Sequence, residues 1–315
     1  MDKSIIDRFP EKTILVLGDV MLDKYIWGRV SRISPEAPVQ IVEVQSETYA
    51  PGGAANAANN IVSLGGKAVL IGMVGDDFHK DILIKELEQR GIASQLVLDN
   101  RPTTTKIRVM GQRQQLVRID YEHKHPIDDE TGKKILEVIK ETPSDAIVIS
   151  DYAKGIITQQ LYDEILRLAE SLKVPVFVDV KPRQAVNYAG ATVIKTNHKE
   201  ACELAGVEEH NDDGIENVGK MLVEHLKSNI VITRGERGVS IFSREGKITH
   251  APTKAKQVFD VTGAGDTFLA ALALSFASGA SLEDSSIIAN HAAGIKVGKI
   301  GTASVSAEEL RQDLQ

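Results

Sequence analysis

Two glycines and two aspartates within eight residues are the strongest chemical signal in the chain. Asp260-Val261-Thr262-Gly263-Ala264-Gly265-Asp266-Thr267 runs straight into an apolar stretch. Glycines let a backbone turn tightly with its N–H groups unobstructed, and a helix start adds partial positive charge, so such a turn makes an anion hole. An aspartate placed there repels a phosphate unless its carboxylate addresses a different atom. A general base at Asp266, taking the proton of an attacking hydroxyl beside the amides of Gly263, Ala264, Gly265 and Asp266, accounts for both features. An ordinary glycine turn with a helix cap at Asp266 is the plain alternative. The further oxygens of Asp260 and Thr262 favour chemistry.

Three other constellations accompany it. Pro51-Gly52-Gly53-Ala54-Ala55-Asn56 puts paired glycines before a helix of small residues, with Asn56 and Asn60 on one face suited to hydroxyl groups. Tight helix–sheet packing explains the same residues equally well. Gly18-Asp19 closes an apolar strand, with Asp23 four residues on, where open α/β folds bind ligands and paired oxygens suit a sugar diol. Asn197 and Glu200 open a helix after a buried strand; they fit a capping box, and equally a hydrated Mg²⁺ next to nucleotide phosphates. Candidates for a second phosphate are Lys106, Arg108, Arg113, Arg118 and Lys154.

These residues need a scaffold that brings them to one edge. Short Val/Ile/Leu-rich runs at 13–17, 68–74, 146–149, 175–180, 192–195 and 230–233 read as strands covered on both faces. Segments 54–64, 78–89, 128–140, 159–172, 199–205 and 214–227 between them read as helices, and 264–278, 282–297 and 307–314 make a helical end. The alternation predicts an α/β fold, a three-layer αβα sandwich on a mainly parallel sheet. Period-two runs at 25–30, 38–44, 94–98, 103–108 and 115–120 predict a small antiparallel β lid. Residues 1–315 then form one domain with lid segments at about 25–44 and 94–120. Clustered hairpins argue against a closed barrel.

Composition narrows the classes further. A lone cysteine, Cys202, excludes an internal disulfide, and 37 basic against 44 acidic residues give a net charge of −7. Bulk attraction to nucleic acid is therefore not expected. No run approaches the roughly 20 apolar residues of a membrane span, and the first residues carry no signal-peptide core, so a cytoplasmic protein is expected. Walker, zinc-protease and Gly-x-Ser-x-Gly patterns do not occur in the sequence.

Gly52-Gly53-x-x-Asn56 near the start, combined with Asp260 to Asp266 near the end, resembles the ribokinase-like (phosphofructokinase-B) carbohydrate kinases over essentially the whole chain. Within that family, Gly18 to Tyr25, Ser31 to Val39, Gln114 to Arg118 and Ser150-Asp151-Tyr152-Ala153-Lys154-Gly155 resemble the kinases of D-glycero-D-manno-heptose 7-phosphate, which serve ADP-heptose and lipopolysaccharide synthesis. The resemblance implies ATP and Mg²⁺ as cofactors, Asp266 as base, and Asp19, Asp23, Gly52, Gly53, Asn56 and Asp151 near the sugar. It also implies Thr233, Gly235, Gly238 and Asn290 near the nucleotide, and Asp260 with Thr262 at a K⁺ loop. Asp179-Val180-Lys181-Pro182 departs from the Asp-Pro-Lys-Gly of the pattern. With no His-x-Gly-His, a stand-alone kinase is expected. The lid's exposed edge predicts a homodimer through paired lids. Another sugar kinase of the family, or a non-catalytic sugar-binding regulator, remains the alternative.

Overall fold

The computed structural model describes residues 3–112, 114–182, 186–208, 214–253, 258–299 and 303–314. After a 3₁₀ segment (Lys3–Glu11), Thr-Ile-Leu-Val-Leu-Gly forms β1 (Thr13–Gly18), buried from Ile14 onward. Ile14 and Val16 enter one apolar cluster while Leu15 and Leu17 enter the other, so this strand is covered on both faces. The chain continues as β2 (Val20–Ile33), returns as β3 (Gln40–Gly53) and enters α1 (Ala54–Ser63). Then come β4 (Lys67–Val74), α2 (Phe78–Gln89), β5 (Ala93–Leu98), β6 (Thr105–Gly111) and β7 (Gln114–Tyr121). The middle of the chain alternates regularly: α3 (Asp129–Glu141), β8 (Ala146–Ser150), α4 (Gln159–Leu172), β9 (Val176–Asp179), β10 (Val193–Asn197), α5 (His198–Ala205), α6 (Ile215–Leu226) and β11 (Asn229–Thr233). A hairpin of β12 (Val239–Phe242) and β13 (Ile248–Ala251) precedes α7 (Ala264–Ala277), α8 (Leu282–Val297) and α9 (Ala307–Asp313).

The large sheet has the order β13-β12-β11-β10-β9-β8-β1-β4-β5, parallel from β11 to β5 and antiparallel in the β12–β13 edge. Helices α1, α2, α7, α8 and α9 supply the cluster on one face; α3 to α6 supply the other. That is the expected αβα sandwich. Ten consecutive residues of α7, Asp266 to Ser275, are buried, so this helix is central rather than amphipathic. Burial of each of Phe268, Leu269, Leu272 and Leu274 contributes on the order of 1.5–3 kcal/mol. Among the described residues no helix is long and apolar enough to cross a membrane.

The small sheet has the order β3-β2-β6-β7. Its two antiparallel pairs, β2/β3 and β6/β7, are joined through a parallel pairing of β2 with β6. Segment 94–98, expected in this lid, belongs instead to β5, the outer parallel strand of the large sheet, in register with β4. An edge strand with one partly open face has the same alternating pattern as a projecting hairpin. β2 and β3 also run further inward than expected, pairing Val20 with Gly53 at the sandwich itself.

Parallel strands finish on a common edge. Gly18 stands opposite Ser150, Ser150 opposite Asp179, Asp179 opposite Lys195, and Asn197 opposite Thr233. The crevice beyond such carboxyl ends is where open α/β sheets bind ligands.

Candidate active site

Gly263 ends the loop before α7 in the left-handed region, φ 76°, a conformation that disfavours any side chain. The turn sets Asp266 in the first turn of α7, buried, with both carboxylate oxygens engaged. Asn56 Nδ2 donates to Oδ2 at 2.6 Å, and the Tyr152 hydroxyl donates to Oδ1 at 2.8 Å. Burial pushes the Asp266 carboxyl above the usual carboxylate range and Asp179 adds to this, while the bonds from Asn56 and Tyr152 and the charge of Lys195 hold it down. The result is an oriented carboxylate of raised basicity. Ala264 N–H turns back on Val261 O at 3.2 Å. Gly265 and Asp266 lie in the first turn of α7, where backbone N–H groups have no partner within the helix.

Asn56 reaches Asp266 because α1 starts at a fixed point. Gly53, φ 58° and ψ −133°, caps it without a side chain; a Cβ there would lie 2.3 Å from Asp19 O, which accepts the Ala54 N–H at 3.0 Å. Asn60 is committed to structure: it donates to Asn56 O at 2.8 Å and accepts from the Thr267 hydroxyl at 2.7 Å. One face of α1 thus does both jobs read from the sequence, packing through Asn60 and site chemistry through Asn56.

Two charged residues to which the sequence motifs gave no task join the site. Lys195 is 4% exposed, and its Nζ lies 3.0 Å from Asp179 Oδ2. A Cβ on Gly265 would stand 2.9 Å from that ammonium, so the glycine turn opens directly onto it. The signal was a lysine inside an otherwise apolar buried strand, a position lysine rarely takes unless paired. Asp179 Oδ1 is buried with no hydrogen-bond partner among the described residues. Tyr152, the third addition, lay in a quoted motif but had no assigned task.

Asn197 and Glu200 form the capping box: Asn197 Oδ1 accepts the Glu200 N–H at 2.9 Å, and Glu200 Oε2 accepts the Asn197 N–H at 3.0 Å. Glu200 Oε1 accepts from Lys181 Nζ at 2.6 Å. No group of three or more His, Cys, Asp or Glu forms a metal cage among the described residues. The unpartnered Asp179 oxygen and the Glu200 carboxylate are hard oxygen donors at neighbouring strand ends. They fit a Mg²⁺ ion that keeps most of its waters.

On the lid side, Asp19 Oδ2 accepts the backbone N–H groups of Tyr152 at 2.8 Å and Lys154 at 3.1 Å. Burial, reinforced by Asp151, pushes its carboxyl up to about 7. Asp151 was expected at the sugar, but it is 1% exposed, accepts from Ala153 N at 2.8 Å and from the Tyr188 hydroxyl. It braces the turn that carries Tyr152 and Lys154. Arg108 donates to Asp23 Oδ1 at 2.5 Å with its guanidinium 5.3 Å from the Tyr25 ring centre. Gly52 leaves room for Asp23, whose Oδ2 would be 2.6 Å from a Cβ there. The other expected phosphate cations are also ion-paired, Lys106 with Asp120 at 3.1 Å and Lys154 with Glu122 at 2.5 Å. Arg118 pairs with Asp120 at 2.9 Å, and Arg113 lies outside the described residues.

A cavity of about 640 Å³ lies on the far side of the glycine turn. Thr233, Gly235, Gly238 and Asn290 line it together with Ala264 and Gly265, all singled out in the sequence. Its size is that of a small-molecule site. Val258, Phe268, Ala293 and Val297, which the sequence reading did not name, supply apolar walls together with Val261 of the glycine-turn motif. Spacing along α8 marked part of them, since Asn290, Ala293, Gly294 and Val297 recur at helical period. Asn290 Nδ2 donates to Pro252 O at 2.8 Å, which ties α8 to the loop after β13. Asp260 Oδ1 accepts the Thr262 N–H at 2.9 Å, and Thr262 is exposed.

The sequence pattern of the pfkB family carbohydrate kinases matches residues 11–310. The chain is 42% identical over 301 residues to the bifunctional protein HldE of Geobacter sulfurreducens, covering 94% of this chain and 61% of that protein. It is 42% identical over 304 residues to the HldE of Nitratiruptor sp., covering 95% and 64%. The chain therefore spans less than two thirds of the length of these relatives. In fold it resembles phosphofructokinase-2 from Escherichia coli in complex with potassium, with a TM-score of 0.80 at 20% identity, covering 96% of this chain and 97% of that one. Ribokinase from Arabidopsis thaliana complexed with ribose and ATP gives 0.75 at 20% identity, covering 96% and 99%.

Proposed function

The chain belongs to the pfkB family of carbohydrate kinases, and from that premise we propose that it transfers the terminal phosphoryl group of ATP to the C1 hydroxyl of D-glycero-D-manno-heptose 7-phosphate. The observation that carries the chemistry is Asp266, a buried carboxylate held at both oxygens in the glycine turn, with a small-molecule cavity behind it and the lid in front. The heptose assignment rests on the motifs at 18–25, 31–39, 114–118 and 150–155, and on identity to the HldE proteins.

In this reading ATP occupies the cavity between α8, β11 and the loop after β11, its phosphates reaching the Gly265 and Asp266 amides. Asp266 takes the proton of the sugar hydroxyl as the oxygen attacks the terminal phosphorus and the bond to the ADP oxygen breaks. Lys195 and the turn amides meet the negative charge spreading over the transferring group. Glu200 and Asp179 would hold a hydrated Mg²⁺, which when bound would supply charge neutralisation for the ATP phosphates. Asp19, Asp23 and Asn56 orient the sugar, and its 7-phosphate exchanges for the carboxylates that now hold Arg108, Lys106 and Lys154. A second copy covers the exposed Val44, Val117 and Ile119 of the lid, making a homodimer whose mass light scattering would read.

The test is ADP release over C7, C6 and C5 sugars with and without a terminal phosphate. Heptose 7-phosphate is expected to have the highest kcat/KM; a free hexose or pentose in that place overturns the substrate. Tyr152→Phe is expected to lower kcat about tenfold, the scale of one hydrogen bond to a charged group. Tyr152 holds the Asp266 carboxyl down, so losing it should move the acid limb of the pH–rate profile to higher pH. An unmoved limb would separate Tyr152 from the base.

A further inference from the structure

Lys296 is the second buried lysine near the glycine turn. It lies in the last turn of α8, 2% exposed, with Cε 3.6 Å from where a Cβ on Gly263 would stand. Burying an ammonium costs several kcal/mol unless acidic groups compensate. Burial pulls its pKa below the usual lysine value and the charge of Lys299 adds to this, while the carboxylates of Asp260 and Asp266 oppose it and favour the ammonium. Phe259 N–H and Asp260 N–H both donate to the carbonyl of Val297, the residue after Lys296, at 2.7 and 3.2 Å. The loop carrying Asp260 and Gly263 is thereby fastened to the helix end that carries the lysine.

The same loop holds the residues expected to bind K⁺, and they fit that ion poorly. Thr262 is exposed, the Asp260 carboxylate is engaged with the Thr262 N–H, and a buried ammonium stands within the same field. Two cations there would repel one another in a low-dielectric setting.

We propose that the Lys296 ammonium is a built-in monovalent cation for the glycine turn: it holds the Asp260–Gly263 loop and its amides in place, so that nucleotide binding and phosphoryl transfer proceed without K⁺. The role is one of positioning, and it rests on the kinase reading above. Nothing in it requires Lys296 to touch either substrate.

The experiment compares chloride salts of K⁺, Na⁺ and tetramethylammonium at equal ionic strength, with two readouts. One is the rise in Tm that Mg·ATP produces, and the other is ADP formation with the preferred sugar. Wild type is expected to differ less than about twofold among the salts in turnover, and to show the same ATP-induced shift in all three. Lys296→Met is expected to keep its fold, lose about 10–100-fold in kcat with a smaller change in the KM for ATP, and recover part of the loss in K⁺ but not in tetramethylammonium. Lys296→Arg, which keeps the charge, should retain more activity than Lys296→Met. Wild type whose ATP shift or turnover depends on K⁺ overturns the proposal, as does a Lys296→Met enzyme that matches wild type in every salt. Failure of the kinase reading looks different: no ADP from any sugar in any salt, with the salt dependence of the ATP shift still deciding the role of Lys296.

Discussion

Asp266→Asn is expected to turn over at least ~100-fold more slowly than wild type while binding ATP and sugar with little change, since a general base typically contributes that much or more. The substitution is close to isosteric, and its neighbours can accommodate it. Asn56 Nδ2 needs an acceptor, which the new amide oxygen supplies; the Tyr152 hydroxyl now donates to Oδ1 but can equally accept from an NH₂. Geometry therefore survives and the proton acceptor does not. The stability side has a definite sign. Burial raises the folded-state pKa of Asp266, so the group favours folding most below its unfolded pKa, and that contribution is lost as pH rises through the folded value. A neutral asparagine escapes this loss, and at neutral pH the variant should melt no lower than wild type. Calorimetric titration and a melting curve, run beside the ADP assay, separate these outcomes. Turnover near that of wild type would remove Asp266 from the chemistry.

Lys195→Met is expected to destabilise the protein by about 3–5 kcal/mol, the scale for removing one partner of a buried ion pair and leaving the other charged and alone. Asp179 is in that position, since its Oδ2 bonds Lys195 and its Oδ1 has no partner among the described residues. The double variant Lys195→Met/Asp179→Leu should recover most of the loss, because a buried pair replaced by apolar residues is often neutral or stabilising. Urea denaturation of wild type, both single variants and the double variant closes the cycle. A loss below about 1 kcal/mol in the single variant would mean that the pair is solvated or rearranges. If the double variant does regain stability but stays inactive, the pair exists for the site, through the ammonium at Gly265 and the carboxylate proposed to hold Mg²⁺, and not for the fold.

What the sequence revealed follows from how locally each feature is encoded. β1 was legible because an apolar run covered on both faces looks like nothing else of its length, and α4 because its period holds over Gln159–Leu172. Asp266 was legible because two glycines at a helix start announce themselves within four residues. Asn197 and Glu200 stood at the capping-box spacing and form one. Features made by residues far apart were hidden. Tyr152 and Asp266 meet across 114 positions, and no local pattern encodes that meeting. The parallel pairing of β2 with β6 leaves no mark in either strand, for the same reason. Lys195 showed only as a break in an apolar strand until the fold set Gly265 against it. The burial of Asp151 depended on Tyr188, which belongs to a different loop.

The central place of α7 has a consequence for how the protein is made. Synthesis runs from the amino end, and domains tend to fold as units when enough chain has emerged. Here β1 through β13 can be complete while the helix that covers them and carries Asp266 is still absent. The apolar face of α1 and the strands beneath it would then lie open to water and to other nascent chains. A protein arrested at that stage would lack Asp266 and the glycine turn, and it would be prone to aggregate. The turn that holds Asp266 and the concealment of the core arrive together, with α7.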